Sequence, residues 1–102
     1  MHGVAIGPGK AALLEIISIT GSLSEASRVL DMSYRTAWQL ITSMNDSFAS
    51  PLVTLTKGGS SGGGAALTER GWAVLDVYKD MDQKARDAVA EGAKQLEALM
   101  RS

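Results

Sequence analysis

The fold is decided by residues 21–38, which read GSLSEASRVLDMSYRTAW. Ser22 and Glu25 have the Ser-x-x-Glu spacing of a capping box, in which the serine oxygen accepts a hydrogen bond from a backbone N–H and the glutamate returns one. This motif predicts that a short helix follows, from about Ser24 to Leu30. Its inward positions are expected to be Ala26, Val29 and Leu30.

Another helix is predicted directly after this one. Asp31-Met32 is long enough only for a turn, and Ser33 is of the residue type that caps a helix, which then runs to about Phe48. Two helices joined by so short a turn indicate a helix-turn-helix. Apolar residues at three- and four-residue spacing mark the buried side of the second helix. They are Ala37, Leu40 or Ile41, Met44 and Phe48.

The segments on either side of this helix pair complete the architecture. A helix over residues 10–20 precedes the pair, with Gly21 as its stop signal. After the pair, the alternation of apolar and polar residues over Leu52–Lys57 predicts a strand, and Ala65–Leu67 can return as a second strand. The glycine-rich run Gly58–Gly64 lies between them, so we predict a β-hairpin with a long flexible tip. This run lacks the Gly-Lys-Ser/Thr ending and the directly following helix of a phosphate-binding loop, so it does not predict a nucleotide site.

A long helix is predicted at the end of the chain. Thr68 is a suitable N-cap, and no proline interrupts the apolar pattern from Trp72 to Met100. The apolar stripe would face water in a monomer, and small residues along it would let a second helix approach closely. We therefore expect a homodimer in which this helix packs against its own copy, with a helix folded back on its own domain as the alternative. The predicted dimerisation residues are Leu75, Tyr78, Met81, Ala85, Val89, Gly92, Leu96 and Leu99.

The amino-acid composition excludes several classes of function. The chain has 102 residues, which is the size of one ordinary domain, and 45% of them are hydrophobic, which is enough for a core. It contains no cysteine, and its single histidine is His2, so thiol catalysis, a Ser–His nucleophile and multi-histidine or cysteine metal sites are excluded. The acidic residues of the last helix alternate with basic ones, as on a solvated surface. We therefore expect no enzyme, no metal and no cofactor.

The charge and hydropathy of the chain do not by themselves indicate a binding partner. No apolar run approaches the length that spans a bilayer, so a soluble cytoplasmic protein without a membrane partner is expected. The formal net charge is −1, and residues 1–72 contain five basic and five acidic residues. Any binding to nucleic acid must therefore depend on the local arrangement of side chains.

The predicted order of elements is that of a winged helix-turn-helix, a mainly α fold with a small β-hairpin, followed by a long C-terminal dimerisation helix. Residues 21–38 resemble the DNA-binding domain of ModE-type molybdate-responsive regulators, which are relatives of the LysR type. Three further stretches fit that family: Ile6–Lys10, the Gly58–Gly64 run as the wing, and Leu67–Gly71 at the start of the linker helix. We expect residues 1–71 to form the DNA-binding domain and residues 72–102 the linker and dimerisation helix.

The resemblance implies a sequence-specific bacterial transcription regulator that binds double-stranded DNA as a homodimer. Full-length ModE-type regulators carry oxyanion-binding domains after the linker helix, and 102 residues leave no length for them here. We therefore expect the molybdate site to be absent. The alternative is a winged-helix module that docks on another protein without contacting DNA, since winged helices also serve that purpose.

The candidate DNA contacts lie mainly at the start of the helix that follows the turn. Arginine suits the paired acceptors of guanine, glutamine suits adenine, and threonine or tyrosine suits phosphate or the thymine methyl group. In an arbitrary helix these residues would form a solvated face, but in a helix-turn-helix they are positioned to read bases. They are Ser33, Tyr34, Arg35, Thr36 and Gln39.

Other candidates flank this group. Arg28 is expected either to contact a backbone phosphate or to pair with Glu25. Trp38 lies beside the inward stripe, and we expect it to pack into the core rather than to face DNA. In the wing, the nearest polar donors to the DNA backbone would be Lys57, Ser60 and Ser61, with a simple hairpin tip as the alternative.

Overall fold

In the computed structural model, which describes residues 6–56 and 64–100, four helices and two strands follow one another along the chain. They are α1 (Pro8–Thr20), α2 (Leu23–Val29), α3 (Tyr34–Ser47), β1 (Val53–Thr56), β2 (Gly64–Leu67) and α4 (Glu69–Met100). The predicted fold class is confirmed: helices dominate, the two strands form an antiparallel hairpin, and a long helix ends the chain.

Helix α1 begins two residues before the predicted start at Lys10, with Pro8 in its first turn. Proline is tolerated there because the backbone N–H groups of a first turn have no partner within the helix. The helix ends where Gly21 adopts a left-handed conformation with φ of 68°, which glycine accepts without steric cost. The predicted stop signal is therefore confirmed.

The short helix α2 is capped by Ser22, whose Oγ accepts a hydrogen bond of 3.1 Å from the N–H of Glu25. The second half of the expected capping box does not form. The N–H of Ser22 donates instead to Thr20 Oγ1 at 3.3 Å, and the carboxylate of Glu25 pairs with Arg28. Sequence alone could not decide between these partners, because both lie within reach of the same helix turn.

The inward face of α2 differs from the prediction at one position. Leu23 and Ala26 are buried and Leu30 is partly buried, but Val29 is 59% exposed. The prediction for Val29 was wrong because Leu23, Ala26 and Leu30 form the covered side of α2, and Val29 lies beside that side. Ser27 is buried, and its Oγ donates to the carbonyl of Ser24 at 2.8 Å, so this polar side chain is satisfied within the helix.

The turn between α2 and α3 contains a non-glycine residue with positive φ, Asp31 at 55°. Aspartate tolerates this left-handed region better than most residues because its short side chain can form local hydrogen bonds. The N–H of Met32 donates to the carbonyl of Ser27 at 2.9 Å, which closes the turn. The turn predicted at Asp31-Met32 is therefore present.

The core lies between the first three helices and the base of the hairpin. Leu13 and Leu14 on α1 have no exposed surface, and α3 buries Ala37, Ile41 and Met44, as the apolar spacing predicted. From the predicted stripe of α3, Leu40 and Phe48 are only partly buried at its edge. Leu52, Val53 and Ala65 close the core from the hairpin side.

The hairpin pairs β1 with β2 in the register Val53↔Leu67, and the N–H of Ala65 also donates to the carbonyl of Gly21 at 2.9 Å. Only the base of the hairpin packs on the core. Val53 is buried, whereas Leu55 is 40% exposed, so the half-buried alternation predicted for Leu52–Lys57 does not continue along the strand. The strand leaves the core after Val53, and nothing in residues 6–56 or 64–100 buries Leu55.

The first half of α4 packs on α1. Lys79 Nζ donates a hydrogen bond of 2.9 Å to Glu15 Oε2 on α1. This hydrogen bond raises the pKa of the Lys79 ammonium above its ordinary value of 10.5. Because the charged form is favoured in the folded state, the pair favours folding at neutral pH, and its contribution is lost as the pH rises through the raised pKa.

The structure corrects the predicted dimerisation stripe at Leu75. It is 2% exposed and belongs to the core of its own domain, so it is not available to a second copy. Sequence spacing could not distinguish Leu75 from the other residues of the stripe, because all of them lie on one face of α4. The first turns of this face pack on the domain, and the later turns extend beyond it. From Gln83 to Met100 every residue of α4 is exposed. No helix in residues 6–56 or 64–100 is both long and apolar enough to cross a membrane.

Gly71 at the start of α4 should not tolerate a side chain. A Cβ at this position would lie 2.1 Å from the backbone oxygen of Leu52, which cannot move aside like a flexible side chain. We expect Gly71→Ala to lower the free energy of unfolding by about 1–3 kcal/mol, as overpacking does, measured by urea denaturation. Gly9→Ala is the control, since nothing lies within 4 Å of its Cβ position, and it should leave stability unchanged or slightly raised. Equal stability of Gly71→Ala and the parent would contradict this packing.

Candidate nucleic-acid interface

The first turn of α3 is held by a cap that keeps its polar groups at the surface. Ser33 Oγ accepts a hydrogen bond of 3.0 Å from the N–H of Thr36, and the same hydroxyl donates to Thr36 Oγ1 at 2.9 Å. The structure therefore brings the two hydroxyls together at the exposed N-terminus of α3. A helix N-terminus with free N–H groups and hydroxyls is suited to an anion such as a phosphate.

Arg35 and Gln39 lie one helical turn apart on the exposed face of α3. Within the described residues Arg35 forms no hydrogen bond or ion pair, so its guanidinium remains available to a ligand. All the predicted base contacts are exposed: Ser33, Tyr34, Arg35, Thr36 and Gln39. We call this exposed group at the start of α3 the α3 face.

Trp38 does not pack into the core as expected. It is 47% exposed, and Tyr34, one turn before it, is 53% exposed. The expectation was wrong because α3 turns Ala37 and Ile41 to the core, and Trp38 lies beside this buried stripe, where it stays half-exposed. The face therefore has a polar centre, at Arg35 and Gln39, and an aromatic flank.

Two further polar residues, on or beside α3, were not identified from the sequence as candidate contacts. Thr42 lies two turns after Arg35, and its hydroxyl donates to the carbonyl of Trp38 at 3.0 Å. Lys10 on α1 reaches α3, where its Nζ donates to Ser43 Oγ at 3.2 Å. The seven-residue spacing from Arg35 could have indicated Thr42, but the position of Lys10 depends on how the helices pack. Asp46 is exposed one turn after Thr42 and adds a negative charge at that end of α3.

Arg28 pairs with Glu25 on the exposed side of α2. Of the two roles predicted for Arg28, the ion pair is present in the structure. Its side chain is 70% exposed, so the pair is solvated and does not prevent contact with a phosphate.

The candidate wing residues Lys57, Ser60 and Ser61 lie outside the described residues. The described part of the hairpin ends at a close contact between its strands. Thr56 Oγ1 accepts a hydrogen bond of 3.1 Å from the N–H of Gly64. Thr56 and Gly64 therefore lie side by side at the described end of the hairpin.

Asn45 fixes α3 to the hairpin. Its Oδ1 accepts hydrogen bonds from the N–H groups of Leu52, at 2.8 Å, and Val53, at 3.2 Å, and its Nδ2 donates to the carbonyl of Val53 at 3.1 Å. The carbonyl of Leu52 then accepts the N–H of Thr68 at 2.9 Å, just before α4. One side chain thus positions the α3 face relative to both the hairpin and the long helix.

Comparison with known proteins finds relatives named as ModE regulators and as molybdenum-pterin-binding proteins. The chain is 42% identical over 76 residues to the molybdenum-pterin-binding protein MopB of Rhodobacter capsulatus, covering 74% of this chain and 28% of that protein. It is 34% identical over 87 residues to the DNA-binding transcriptional dual regulator ModE of Escherichia coli, covering 82% of this chain and 33% of the regulator. Its homologues are ModE transcriptional regulators. The resemblance identified from the sequence is thereby confirmed.

The chain spans about a third of the length of the ModE and MopB relatives that it matches. No family model matches it. Among solved structures, ArgP from Mycobacterium tuberculosis is similar in fold, with a TM-score of 0.64 over 88% of this chain and 32% of that chain, at 22% identity. This likeness supports the fold of the ModE homologue described above.

In this ModE homologue, removal of the Asn45 side chain should loosen the hairpin. We expect Asn45→Ala to lower the free energy of unfolding by about 1–3 kcal/mol, because two partly buried N–H groups lose their acceptor. Asn45→Asp keeps the acceptor oxygen and should lose less. Denaturant unfolding measures the stability, and amide hydrogen exchange at Leu52 and Val53 reports the local effect. Unchanged exchange at both amides in Asn45→Ala would contradict the role of Asn45.

Proposed function

We propose that this chain is the DNA-binding and dimerising region of a ModE-type transcription regulator, with α3 entering the major groove of double-stranded DNA. The observation that carries the proposal is the α3 face: Arg35, without a partner in the described residues, lies beside Gln39 at the start of the second helix of a helix-turn-helix. This is the position from which such helices read base edges. Such a protein acts in the cytoplasm and needs no catalytic group.

The side chains of the α3 face would make different kinds of contact with DNA, according to their chemistry. Arg35 suits the two acceptors on the major-groove edge of guanine, and Gln39 suits adenine. Ser33 and Thr36 sit at the helix N-terminus, where a phosphate would meet both hydroxyls and backbone N–H groups. Tyr34 is placed to contact a phosphate or a thymine methyl group. In this proposal Arg35 and Gln39 determine the sequence specificity. Ser33, Tyr34 and Thr36 orient the protein on the duplex.

Contacts to the DNA backbone would come from either side of α3. Arg28 is exposed on α2, and the predicted wing donors Lys57, Ser60 and Ser61 lie in the hairpin segment outside the described residues. Lys10 adds a positive charge near the middle of α3. These contacts would hold the protein on any duplex, because phosphates carry no sequence information.

We also propose that α4 makes the chain a homodimer. Residues 1–71 would form the DNA-binding domain and residues 72–102 the linker and dimerisation helix, although the first turns of α4 also complete the core through Leu75. The rest of the predicted stripe remains accessible. Its members are Tyr78, Met81, Ala85, Val89, Gly92, Leu96 and Leu99.

The second candidate function is docking on another protein. Trp38 and Tyr34 favour it, because two half-exposed aromatic side chains at one surface are typical of protein interfaces. The net charge of −1 also supplies no general attraction to DNA. The two functions differ in their dependence on salt, since DNA binding releases counterions and weakens as salt rises.

Arg35→Ala should remove most of the sequence preference. The target is a duplex selected from random sequences by the parent protein, and affinity is measured by fluorescence anisotropy at several salt concentrations. We expect a loss of about 1–3 kcal/mol on the selected duplex, as for one bidentate base contact, and a much smaller loss on unrelated duplexes.

Lys94→Ala is the matched control for Arg35→Ala, because it removes one exposed positive charge from α4, far along the chain from α3. It should bind the selected duplex like the parent. Equal affinity of Arg35→Ala and the parent for the selected duplex would overturn the assignment of Arg35. Binding that does not change with salt would favour the docking function instead.

The dimer should depend on the exposed stripe of α4. Val89 is 62% exposed, and we expect Val89→Lys to convert the dimer to a monomer at tens of micromolar by placing a charge in the interface. Ala90→Lys is the control, since Ala90 lies about 100° further round the helix and away from the stripe. Sedimentation equilibrium measures both variants. A parent chain that is monomeric under the same conditions would contradict the proposed assembly.

A further inference from the structure

An apolar groove of about 650 Å³ lies beside the first turns of α4. Three of its lining residues, Ile6, Phe48 and Val74, are partly buried and pack against the core. Two others are more exposed, Val77 at 59% and Met81 at 61%. The groove therefore has a base that the core holds in place and an apolar rim that the described part of the chain leaves in contact with water.

The residues that α4 contributes to the groove follow one line along the helix. Arg70, Val74, Val77 and Met81 are spaced by four, three and four residues, which places them on one face. This line is about 16 Å long. The buried residue Leu75 lies about 100° further round the helix than Val74. The groove therefore uses a different face of α4 from the one that covers the core.

Arg70 is the charged residue among the described residues that line the groove. It is exposed, and it forms no hydrogen bond or ion pair within residues 6–56 and 64–100. Its neighbour Glu69 lines an adjoining cavity of about 400 Å³ together with Ser50, but does not line the groove. Arg70 also lies in the first turn of α4, where the helix dipole favours anions. The groove therefore combines a positive end with an apolar remainder.

We propose that this groove is a binding site for a small amphipathic carboxylate, whose carboxylate pairs with Arg70 and whose apolar chain lies along Val74 and Val77. One arginine can hold a carboxylate through two parallel hydrogen bonds. A doubly charged phosphate would leave oxygens without donors among the apolar lining residues. The groove volume lies within the range of about 300–1,000 Å³ that is usual for small-molecule sites. This inference does not depend on DNA binding.

The shape of the groove favours an unbranched chain. A linear ligand with its carboxylate at Arg70 would follow the line of α4 toward Met81 and cover Val77 on the way. Each CH2 group that it buries should raise the affinity about three- to fourfold. A series of carboxylates of increasing length should therefore bind with increasing affinity until the chain reaches the end of the groove.

The groove exists only in the folded chain, because its lining comes from distant parts of the sequence. Ile6 precedes α1, Phe48 follows α3, and Val74 and Val77 belong to α4. A ligand that binds the folded state and not the unfolded state raises the melting temperature in proportion to the logarithm of its concentration above the dissociation constant. Thermal unfolding therefore reports binding independently of any functional assay.

The first test is titration of the full chain of 102 residues with hexanoate, octanoate and decanoate, each below its critical micelle concentration. Isothermal titration calorimetry measures the affinity, and thermal unfolding gives the shift of the melting temperature. We expect one saturable site per chain, with an affinity that rises about tenfold for every two CH2 groups. No saturable binding at millimolar concentration would overturn the proposal and would leave the DNA-binding and dimer proposals unaffected.

Arg70→Gln tests the charged end of the site. Arg70 is exposed, so the circular dichroism of the variant should match that of the parent. We expect the variant to lose about tenfold in affinity for octanoate but to keep the parent's affinity for octanol, which has the same chain without the charge. Lys94→Gln is the control, since it removes an exposed positive charge from α4 outside the groove. Equal octanoate affinity of Arg70→Gln and the parent would overturn the role of Arg70.

Val77→Asp tests the apolar part of the site. It should weaken the binding of both octanoate and octanol, because it places a charge where the chain of either ligand would lie. Unchanged octanol affinity in Val77→Asp would show that the chain lies elsewhere and would overturn the proposed site.

A second copy of the chain is the competing occupant, because Tyr78 and Met81 belong both to the groove and to the proposed dimer stripe. The monomeric variant Val89→Lys separates the two, since Val89 lies outside the groove. We expect the parent and Val89→Lys to bind octanoate with equal affinity. Binding to Val89→Lys but not to the parent would show that the second copy fills the groove, and would overturn the ligand site in the assembled protein.

Discussion

The carbonyl of Leu52 is the point on which the arrangement of the chain depends. The N–H of Leu52 donates a hydrogen bond to Asn45 Oδ1 on α3. The carbonyl oxygen of Leu52 accepts a hydrogen bond from the N–H of Thr68, just before α4. Gly71 then passes so close to this oxygen that no side chain fits between them. Because Leu52 itself has no exposed surface, these polar contacts cannot be replaced by water. Three elements, α3, β1 and α4, are therefore joined at one buried backbone unit.

This junction connects the proposed DNA-reading surface to the proposed dimer. The α3 face is fixed to the hairpin through Asn45, and α4 leaves the domain in a direction set by Leu52, Gly71 and the Lys79–Glu15 hydrogen bond on α1. In a dimer made by α4, the distance between the two α3 helices thus depends on rigid contacts within each domain. A palindromic site requires a separation of about 34 Å or a multiple of it, so small changes at the junction would be felt in the choice of operator.

Local signals in the sequence predicted the elements, but not which side of each element is covered. Caps at Ser22, Ser33 and Thr68 depend on neighbouring residues only, and all three are present. Burial depends on what packs opposite a side chain. Val29, Leu55 and Trp38 were expected to point inward because apolar residues usually do, yet the described part of the chain leaves all three exposed. Leu75 was assigned to a partner because its spacing continues that of the exposed stripe.

The near-neutral charge of the chain constrains how it could find a DNA site. A strongly basic domain gains affinity for every duplex through phosphate contacts, and that affinity does not distinguish sequences. Here the α3 face offers Arg35, Lys10 lies about two helical turns further along α3 at Ser43, and Asp46 adds a negative charge one turn beyond Thr42. If the chain binds DNA as proposed, one copy should therefore be attracted only weakly to arbitrary duplexes. Two copies held by α4 would add their base contacts at a matching site, while mismatched duplexes would gain little from the second copy. Dimerisation would then contribute to specificity as well as to affinity, which explains why apolar side chains would be kept on the part of α4 after Gln83, where the helix no longer covers the core of its own domain.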